Sequence, residues 1–450
     1  MPKNLVSPRL GKPLFLYRLL FRSLRFYYHL YYKRVTIIGQ DKLPENVPLI
    51  ITPNHQNALM DALAVLFAID RPVFFLARAD IFKKSFVARL LYFLRILPVY
   101  RLRDGTNSLE KNKAVFAETA RLLQKGWVLT IMPEGVHSKG KTLQPLKKGA
   151  SRIAFQTAEA DGFKSPVFLV PFGIDYEHPD KAGTQLLINI GTPLPVAPHY
   201  VTYQHEPQKA FVELRDELTL ALKSQIVHLD TLELEDCHRL LCSLSAVNAL
   251  KSPDKNRVDQ FRKAQKIAEY LNGLSQKQGQ KWEWLQTTCK NYLISLKEHK
   301  LNELSAKNPL DSWLTLVVQS LFWLAFLPLQ VYGVLCNYLP YKLPSLLIKR
   351  IKDKQFVSSL NFGLSFFLFL IWYALLFVAM LVFFDNWVLS IFALVSFPYA
   401  GLLAFYQFKF SRRLRNSWRW KIRSKNKPKL IQELLHQRQS LINQLKLWGV

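Results

Sequence analysis

The residues best placed to do chemistry lie in the run IITPNHQNALMDALAV, residues 50–65. The pattern predicts a strand ending at Thr52, a loop carrying Asn54 and His55, and a helix from about Ala58. Asp61 then falls within the first two turns of that helix. Imidazole accepts a proton near neutral pH, and a carboxylate on its other nitrogen fixes the tautomer and stabilises the imidazolium. Such a pair needs no serine or cysteine beside it, because the nucleophile can be a hydroxyl of the substrate. Taken alone it is weak evidence, since a His followed by an Asp mostly serves structure. A second run, WVLTIMPEGVHSKGKTLQPLKKGASRIA, residues 127–154, passes from a strand through Pro133, Glu134 and Gly135 into a basic loop. A helix follows at Gly149, with Lys147 and Lys148 before its start, where cations and backbone N–H groups favour an anion. A solvated basic turn is the plainer reading of these lysines. Ser138 is not set in a Gly-x-Ser-x-Gly elbow, so the constellation offers no covalent nucleophile.

The elements that must position these residues alternate. Apolar runs at 35–38, 48–52, 72–77, 96–100, 127–132, 167–172 and 186–190 read as strands, and 58–69, 82–94, 108–124 and 149–160 as helices. That alternation predicts an α/β layer structure with a largely buried sheet. Pro72, Pro98 and Pro171 are expected at strand ends or edges, where proline is tolerated. Residues 207–304 are polar and charged and read as about four helices, broken near Pro253 and near Gly273. Beyond them, 362–384 and 387–408 are almost wholly apolar and each long enough to cross a ~30 Å hydrocarbon layer. They are separated by Asp385 and Asn386 alone, which predicts a membrane hairpin. The stretch 313–339, interrupted at Pro328, is expected as two half-helices, 313–327 and 329–339, that re-enter or lie in the interface; one kinked crossing is the alternative.

Charge and hydropathy agree with a membrane. The formal net charge is +29 although half the residues are hydrophobic, which points to an anionic surface, either nucleic acid or phospholipid. Residues 1–34 hold eight Lys or Arg and residues 409–429 ten more, with no acid in either, and both clusters adjoin apolar stretches. That placement selects an anionic membrane phospholipid and not nucleic acid as the partner. Both basic ends of the hairpin are expected in the cytoplasm. Arg18, Arg22, Arg25 and His29 form one stripe of a helix otherwise covered by Leu, Phe and Tyr, which suits a helix lying in the interface. These charges interrupt the apolar stretch, and a cleavable signal is not expected. Residues 430–447 read as an amphipathic helix. Cys237, Cys242, Cys289 and Cys336 form no CxxC pair and read as thiols in a reducing compartment; no metal site is expected.

Across residues 35–200 the motifs, in order and approximate spacing, resemble the glycerolipid acyltransferase family that includes the bacterial lysophosphatidic acid acyltransferases. Asn54, His55 and Asp61 match its first motif, and Pro98 to Arg101, with Arg103 close by, match its arginine motif. Pro133, Glu134 and Gly135 match the Pro-Glu-Gly motif, Lys147 to Ala150 the turn before a helix, and Val170-Pro171 the last motif. Five residues separate His55 from Asp61 where the family usually has four, and His137 and Ser138 follow Pro-Glu-Gly-Val. Both features resemble the branch of fungal glycerol-3-phosphate and dihydroxyacetone-phosphate acyltransferases. The resemblance implies a layered α/β fold of the glycerol-3-phosphate acyltransferase type, with His55 as general base and Asp61 as its partner. It implies Arg101, with Arg103, for the acceptor phosphate, Glu134 on the glycerol hydroxyls, Gly135 for close approach and Lys148 for an anion. The implied reaction moves a fatty acyl group from acyl-CoA or acyl-carrier protein to lysophosphatidic acid, or alternatively to glycerol 3-phosphate or dihydroxyacetone phosphate, with no cofactor. A non-catalytic lipid-binding scaffold is the reading from another class, and a metal-dependent phosphohydrolase would need further ligands that the neighbouring sequence lacks. The expected organisation is an interfacial helix over 1–34, a catalytic domain over 35–206, a helical extension over 207–310, a membrane region over 311–408 and a basic tail over 409–450. The chain is thus expected to be an integral membrane protein with its catalytic domain on the cytoplasmic face.

Overall fold

The computed structural model describes residues 15–100, 108–137, 140–245, 253–303, 312–350 and 356–450. Two compact units account for it: Met1–Leu232 with Ser252–Phe261, and Glu233–Lys251 with Arg262–Val450. The first is built on strands β1 (Arg34–Ile38), β2 (Leu49–Pro53), β3 (Val73–Arg78), β4 (Ile96–Val99), β5 (Val128–Thr130), β6 (Phe168–Tyr176), β7 (Gln185–Ile190) and β8 (Leu194–Pro195). They form one sheet in the order β1-β7-β6-β2-β5-β3-β4, with β8 also on β6. Pairing is parallel except where β6 meets β7 and β8. Parallel strands joined by crossover helices are covered on both faces and read as continuous apolar runs. Leu49, Ile50 and Ile51 are accordingly fully buried.

Pro98 lies in β4, an edge strand, as expected, but Pro171 lies inside the central β6. Phe168 N–H donates to Pro48 and Phe172 C=O accepts from Asn54 N–H, so alternate residues of β6 face β2 and Pro171 faces the other side. On that side the partner changes from β8, paired at Phe168 and Leu169, to β7, paired from Phe172 onward. The missing N–H falls at the changeover, where no ladder bond is lost.

Five helices carry the layers: α1 (Phe15–Tyr31), α2 (Leu59–Ala68), α3 (Ser85–Phe93), α4 (Ser108–Gln124) and α5 (Gly149–Glu159). Two more follow β8, α6 (Tyr200–His205) and α7 (Pro207–Gln225). Phe211, Leu214, Leu218 and Leu222 of α7 are buried in one core with Ile153 and Phe155 of α5 and Leu129 and Leu169 of the sheet. The first unit therefore extends past residue 206, because the apolar stripe of α7 completes its core. Buried Asp175 of β6 adds an ionic tie, accepting from Lys141 Nζ at 2.7 Å and Arg257 at 2.6 Å. Burial alone would raise its pKa, but the two cations outweigh burial and hold it at about 2. This depressed value adds stability above the usual carboxyl range that is lost as pH falls through about 2.

α1 packs on this unit through Phe21 and Tyr28, whose rings meet Phe67 at 5.4 and 5.1 Å. Its outer side carries two neighbouring stripes. Phe15, Leu19, Phe26 and Leu30 are all exposed, from 42% to 81%, and Arg18, Arg22, Arg25 and His29 run alongside them.

In the second unit, α8 (Leu234–Leu244), α10 (Gln280–Glu298) and the C-terminal α15 (Pro428–Leu447) bury facing leucines, among them Leu241, Leu296 and Leu441. Glu303 accepts from Tyr292 O–H and from Arg438 at 2.9 Å. α9 (Pro253–Lys277) runs unbroken through Gly273, and the turn comes at Gln278 and Gly279 instead. A Cβ on Gly273 would meet nothing within 4 Å, so this glycine marks no close contact and no bend.

α13 (Val357–Phe384) and α14 (Trp387–Asn426) are long and apolar enough to cross a membrane. Asp385 takes a left-handed conformation between them, and the side chain of Asn386 caps α14 by accepting from Val388 and Leu389 N–H at 3.0 and 3.1 Å. α11 (Trp313–Ala325) and α12 (Leu327–Leu347) meet at a 49° bend. Pro328 lies in the first turn of α12, which needs no N–H there, and the helix continues past Pro340 and Pro344 to Leu347, further than the expected 339. Gly333 permits the closest approach to α14, where a Cβ would come within 2.1 Å of the Ala400 carbonyl oxygen. Beside it, the buried Asn337 side chain donates to Gly333 and Phe397 carbonyls at 2.9 Å and accepts from Tyr373 O–H at 2.5 Å. Such contacts hold apolar helices together where lipid supplies no hydrophobic drive between them.

Candidate active site

β2 ends at Pro53 and the chain leaves the sheet edge as a loop that α2 closes. Asn54 fixes the start of that loop to β6, donating to Ile174 C=O at 3.1 Å and accepting from Ile174 N–H at 2.7 Å. Ala58, at φ 43°, turns the chain into α2. Asp61 in the first turn then reaches back as a first-turn acid does, Oδ2 accepting from Gln56 N–H at 2.8 Å and Asn57 N–H at 2.7 Å. The same oxygen lies 2.9 Å from His55 Nδ1, and Oδ1 accepts from Tyr176 O–H at 2.7 Å. Three donors, Gln56 N–H, Asn57 N–H and Tyr176 O–H, already converge on this fully buried side chain, which leaves its oxygens to accept from His55 as well. Nδ1 therefore carries the hydrogen, and proton acceptance falls to Nε2. The longer spacing between His55 and Asp61 does not separate them.

Glu134 holds the loop from beneath. Its Oε1 accepts from the backbone N–H of His55 at 2.6 Å and its Oε2 from that of Gln144 at 2.8 Å. The side chain is fully buried, and both oxygens are occupied by the protein's own backbone. Through these two bonds Glu134 joins the His55 loop to the segment after Pro-Glu-Gly. Burial raises its pKa to about 7, and the N–H groups of Gln144 and His55 only partly reverse that. A raised carboxyl stabilises the fold fully below its unfolded value of 4.5 and loses that contribution as pH rises through about 7. Glu134→Gln removes this titration. Between pH 5 and 8 the wild type is expected to lose about 3 kcal/mol relative to the variant, read from denaturant midpoints at each pH.

This arrangement lies within a segment of known kind. The model of the acyltransferase family matches residues 34–175. Residues 34–175 are thus similar to the acyltransferase family. An uncharacterised acyltransferase of Schizosaccharomyces pombe is 30% identical over 87 residues, which are 19% of this chain and 13% of that protein. The chain thus matches only a small part of that relative's length. The crystal structure of the 1-acyl-sn-glycerophosphate acyltransferase PlsC from Thermotoga maritima aligns with 46% of this chain and 78% of its own at 20% identity, with a TM-score of 0.32.

That segment brings His55, Asp61, Glu134 and Gly135 together, and the last takes φ 65° in the turn that follows Glu134. A Cβ on Gly135 would touch the Lys147 side chain at 3.5 Å, and Lys147 N–H donates to Pro133 C=O at 2.7 Å, closing the loop before α5. Lys148 caps the N-terminal end of α5 through its backbone position. Arg101 and Arg103, and Ser138, lie outside the described residues. The chain just before Arg101 is held by Asn112 of α4, whose side chain accepts from Tyr100 N–H at 2.9 Å and donates to Tyr100 C=O at 2.7 Å. Tyr176 carried no sequence signal, since its partner Asp61 is 115 residues away in the chain. His137 could have been marked from its position two residues after Gly135; its ring stands 4.1 Å from that of His55, centroid to centroid. Tyr176 stays a donor at neutral pH, because burial, then the Asp61 charge and the tyrosines Tyr32 and Tyr28, push its phenol well above the ordinary range.

Proposed function

We propose that this acyltransferase moves a fatty acyl group from an acyl thioester to 1-acyl-sn-glycerol 3-phosphate, with His55 as general base. The observation that carries this reading is the His55–Asp61 pair at 2.9 Å, held on the Glu134 brace inside the acyltransferase domain. The acceptor hydroxyl oxygen attacks the thioester carbonyl carbon while Nε2 of His55 takes its proton. The new C–O bond forms, the C–S bond breaks, and the departing thiolate recovers the proton from His55. Asp61 stabilises the imidazolium between those two transfers. A base of this kind contributes ~10²–10⁴-fold, so positioning and stabilisation of the oxyanion supply the rest. Arg101, with Arg103, is the group for the acceptor phosphate, since a guanidinium can hold two oxygens at once.

The domain is proposed to work at the cytoplasmic face. Basic segments flank both ends of the α13–α14 hairpin, and the bent pair α11–α12 is read as re-entering, which keeps the N-terminal unit on the same side. The test is acyl transfer by the full-length protein in detergent, offering lysophosphatidic acid, glycerol 3-phosphate and dihydroxyacetone phosphate. Each is paired with a long-chain acyl-CoA and with an acyl-carrier protein. Preference for lysophosphatidic acid supports the reading. Preference for either unacylated acceptor moves the enzyme to the other branch, and no transfer to any of them leaves the scaffold reading.

A further inference from the structure

In the second unit a cavity of about 260 Å³ lies against the basic half of α14. It is lined by Arg419, Ile422, Arg423 and Asn426, which share one face of that helix, and by His299 and Lys300 at the end of α10. No carboxylate is among the lining residues, and the volume is below the ~300–1,000 Å³ of sites for drug-sized ligands. A small anionic group is what such a lining selects.

Lys300 supplies an independent observation. Leu301 N–H donates to Leu296 C=O at 2.8 Å and Lys300 N–H to Lys297 C=O at 3.1 Å, the bond pair that ends a helix on a left-handed residue. That residue is Lys300, at φ 52°. Glycine is the usual occupant because any side chain is strained there. Lys300, at a position where glycine is usual, is one of the residues that line this cavity.

The level of the cavity along α14 says where the anion comes from. Trp387 and Trp418 stand about 46 Å apart at 1.5 Å per residue, close to the ~40–45 Å of a bilayer with its headgroups. Trp418 touches Trp313 at 5.7 Å and donates to Ser320 at 3.0 Å, and Lys421 Nζ lies 5.9 Å from the Trp313 ring. From Leu314 onward α11 exposes apolar side chains, Leu321 and Phe322 among them. Tryptophan and lysine together at the edge of an apolar surface mark the headgroup layer. The cavity begins at Arg419, the residue after Trp418.

We infer that this cavity binds a phosphate, and that its source is the headgroup of an anionic phospholipid in the layer α14 crosses. The inference is independent of the acyl-transfer reading, and binding is measured without an acyl donor. Full-length protein in non-ionic detergent is titrated with dioctanoyl phosphatidylglycerol, dioctanoyl phosphatidylcholine, inorganic phosphate and glycerol 3-phosphate, following tryptophan fluorescence and lipid adducts by native mass spectrometry. Phosphatidylglycerol is expected to bind most tightly. Its affinity is expected to fall about tenfold or more in Arg419→Gln/Arg423→Gln and severalfold in Lys300→Gly, where charge-assisted hydrogen bonds are lost. Lys300→Gly relieves the strained turn, so its melting temperature should hold or rise, which separates lost binding from lost folding. Inorganic phosphate binding as tightly as the lipid, and lost in the same variants, would keep the phosphate site and overturn the lipid as its source. Unchanged phosphatidylglycerol affinity in both variants would overturn the site itself.

Discussion

Acyl transfer by the His55→Ala protein is expected to fall by ~10²–10⁴-fold in kcat, with the acceptor KM little changed. The side chain is only 15% exposed and lies on a loop held by its backbone, not by its ring. Glu134 bonds the His55 N–H, Asn54 bonds Ile174, and Asp61 keeps its bonds to Gln56, Asn57 and Tyr176. Removing the imidazole therefore deletes the proposed base and leaves the loop in place. The measurement is steady-state transfer beside a thermal melt. A variant that melts like the wild type and transfers at the wild-type rate would exclude His55 from the proton transfer.

The second large effect is expected from Asp61→Asn. The two backbone N–H groups at Oδ2 require an oxygen there, so the amide nitrogen must take the place of Oδ1, beside Tyr176. Tyr176 O–H can turn to accept, and the Asn oxygen can still receive the His55 Nδ1 hydrogen. The fold and the tautomer should survive this exchange. What is lost is the negative charge facing the imidazolium, and loss of a buried carboxylate behind a catalytic histidine costs up to about 10⁴ in kcat. A fall of ~10²–10⁴-fold at nearly constant melting temperature is expected. Asp61→Ala should behave differently, because it leaves the buried Tyr176 O–H, the buried Asn57 N–H and the partly buried Gln56 N–H without an acceptor, at about 1–3 kcal/mol for each fully buried group. A large loss of stability in the alanine variant and a small one in the asparagine variant together separate charge from scaffolding.

Much of this site was legible along the chain because its parts are local. The strand before Asn54, the helix carrying Asp61 and the turn at Gly135 each leave a pattern within about ten residues. The sheet was legible for the same reason, since buried parallel strands are short apolar runs between helices. Contacts that close over long separations were not. Tyr176 lies 115 residues from Asp61 and Glu134 lies 79 from His55, and periodicity carries no information about which distant side chain arrives. Glu134 stood out as a motif residue, but the meeting of its two carboxylate oxygens with backbone N–H groups is encoded by no local pattern. Pro171 was expected at a strand end or edge and lies inside β6, because the changeover from β8 to β7 is a property of the sheet, not of β6. The helical patterning of α7 was read correctly, and only packing shows that its leucines close the core of the first unit. Gly273 shows the reverse error, since a glycine inside a helix lowers its propensity without having to end it.

α1 joins two surroundings that are usually kept apart. Tyr28 and Tyr32, in and just after this helix, form with Tyr176 the aromatic wall behind Asp61, and the tyrosine rings of 32 and 176 lie 6.1 Å apart. The opposite side of α1 carries the exposed Phe15, Leu19, Phe26 and Leu30 with the arginine stripe beside them. A helix of this kind settles into a lipid surface according to its packing and charge. Any seating of α1 in a lipid surface would be mechanically continuous with the support of the Asp61 carboxylate. Turnover should then register the state of the surface: lipid packing and surface charge would alter kcat, whereas dilution of the acceptor among inert lipids would alter only how often a substrate is met.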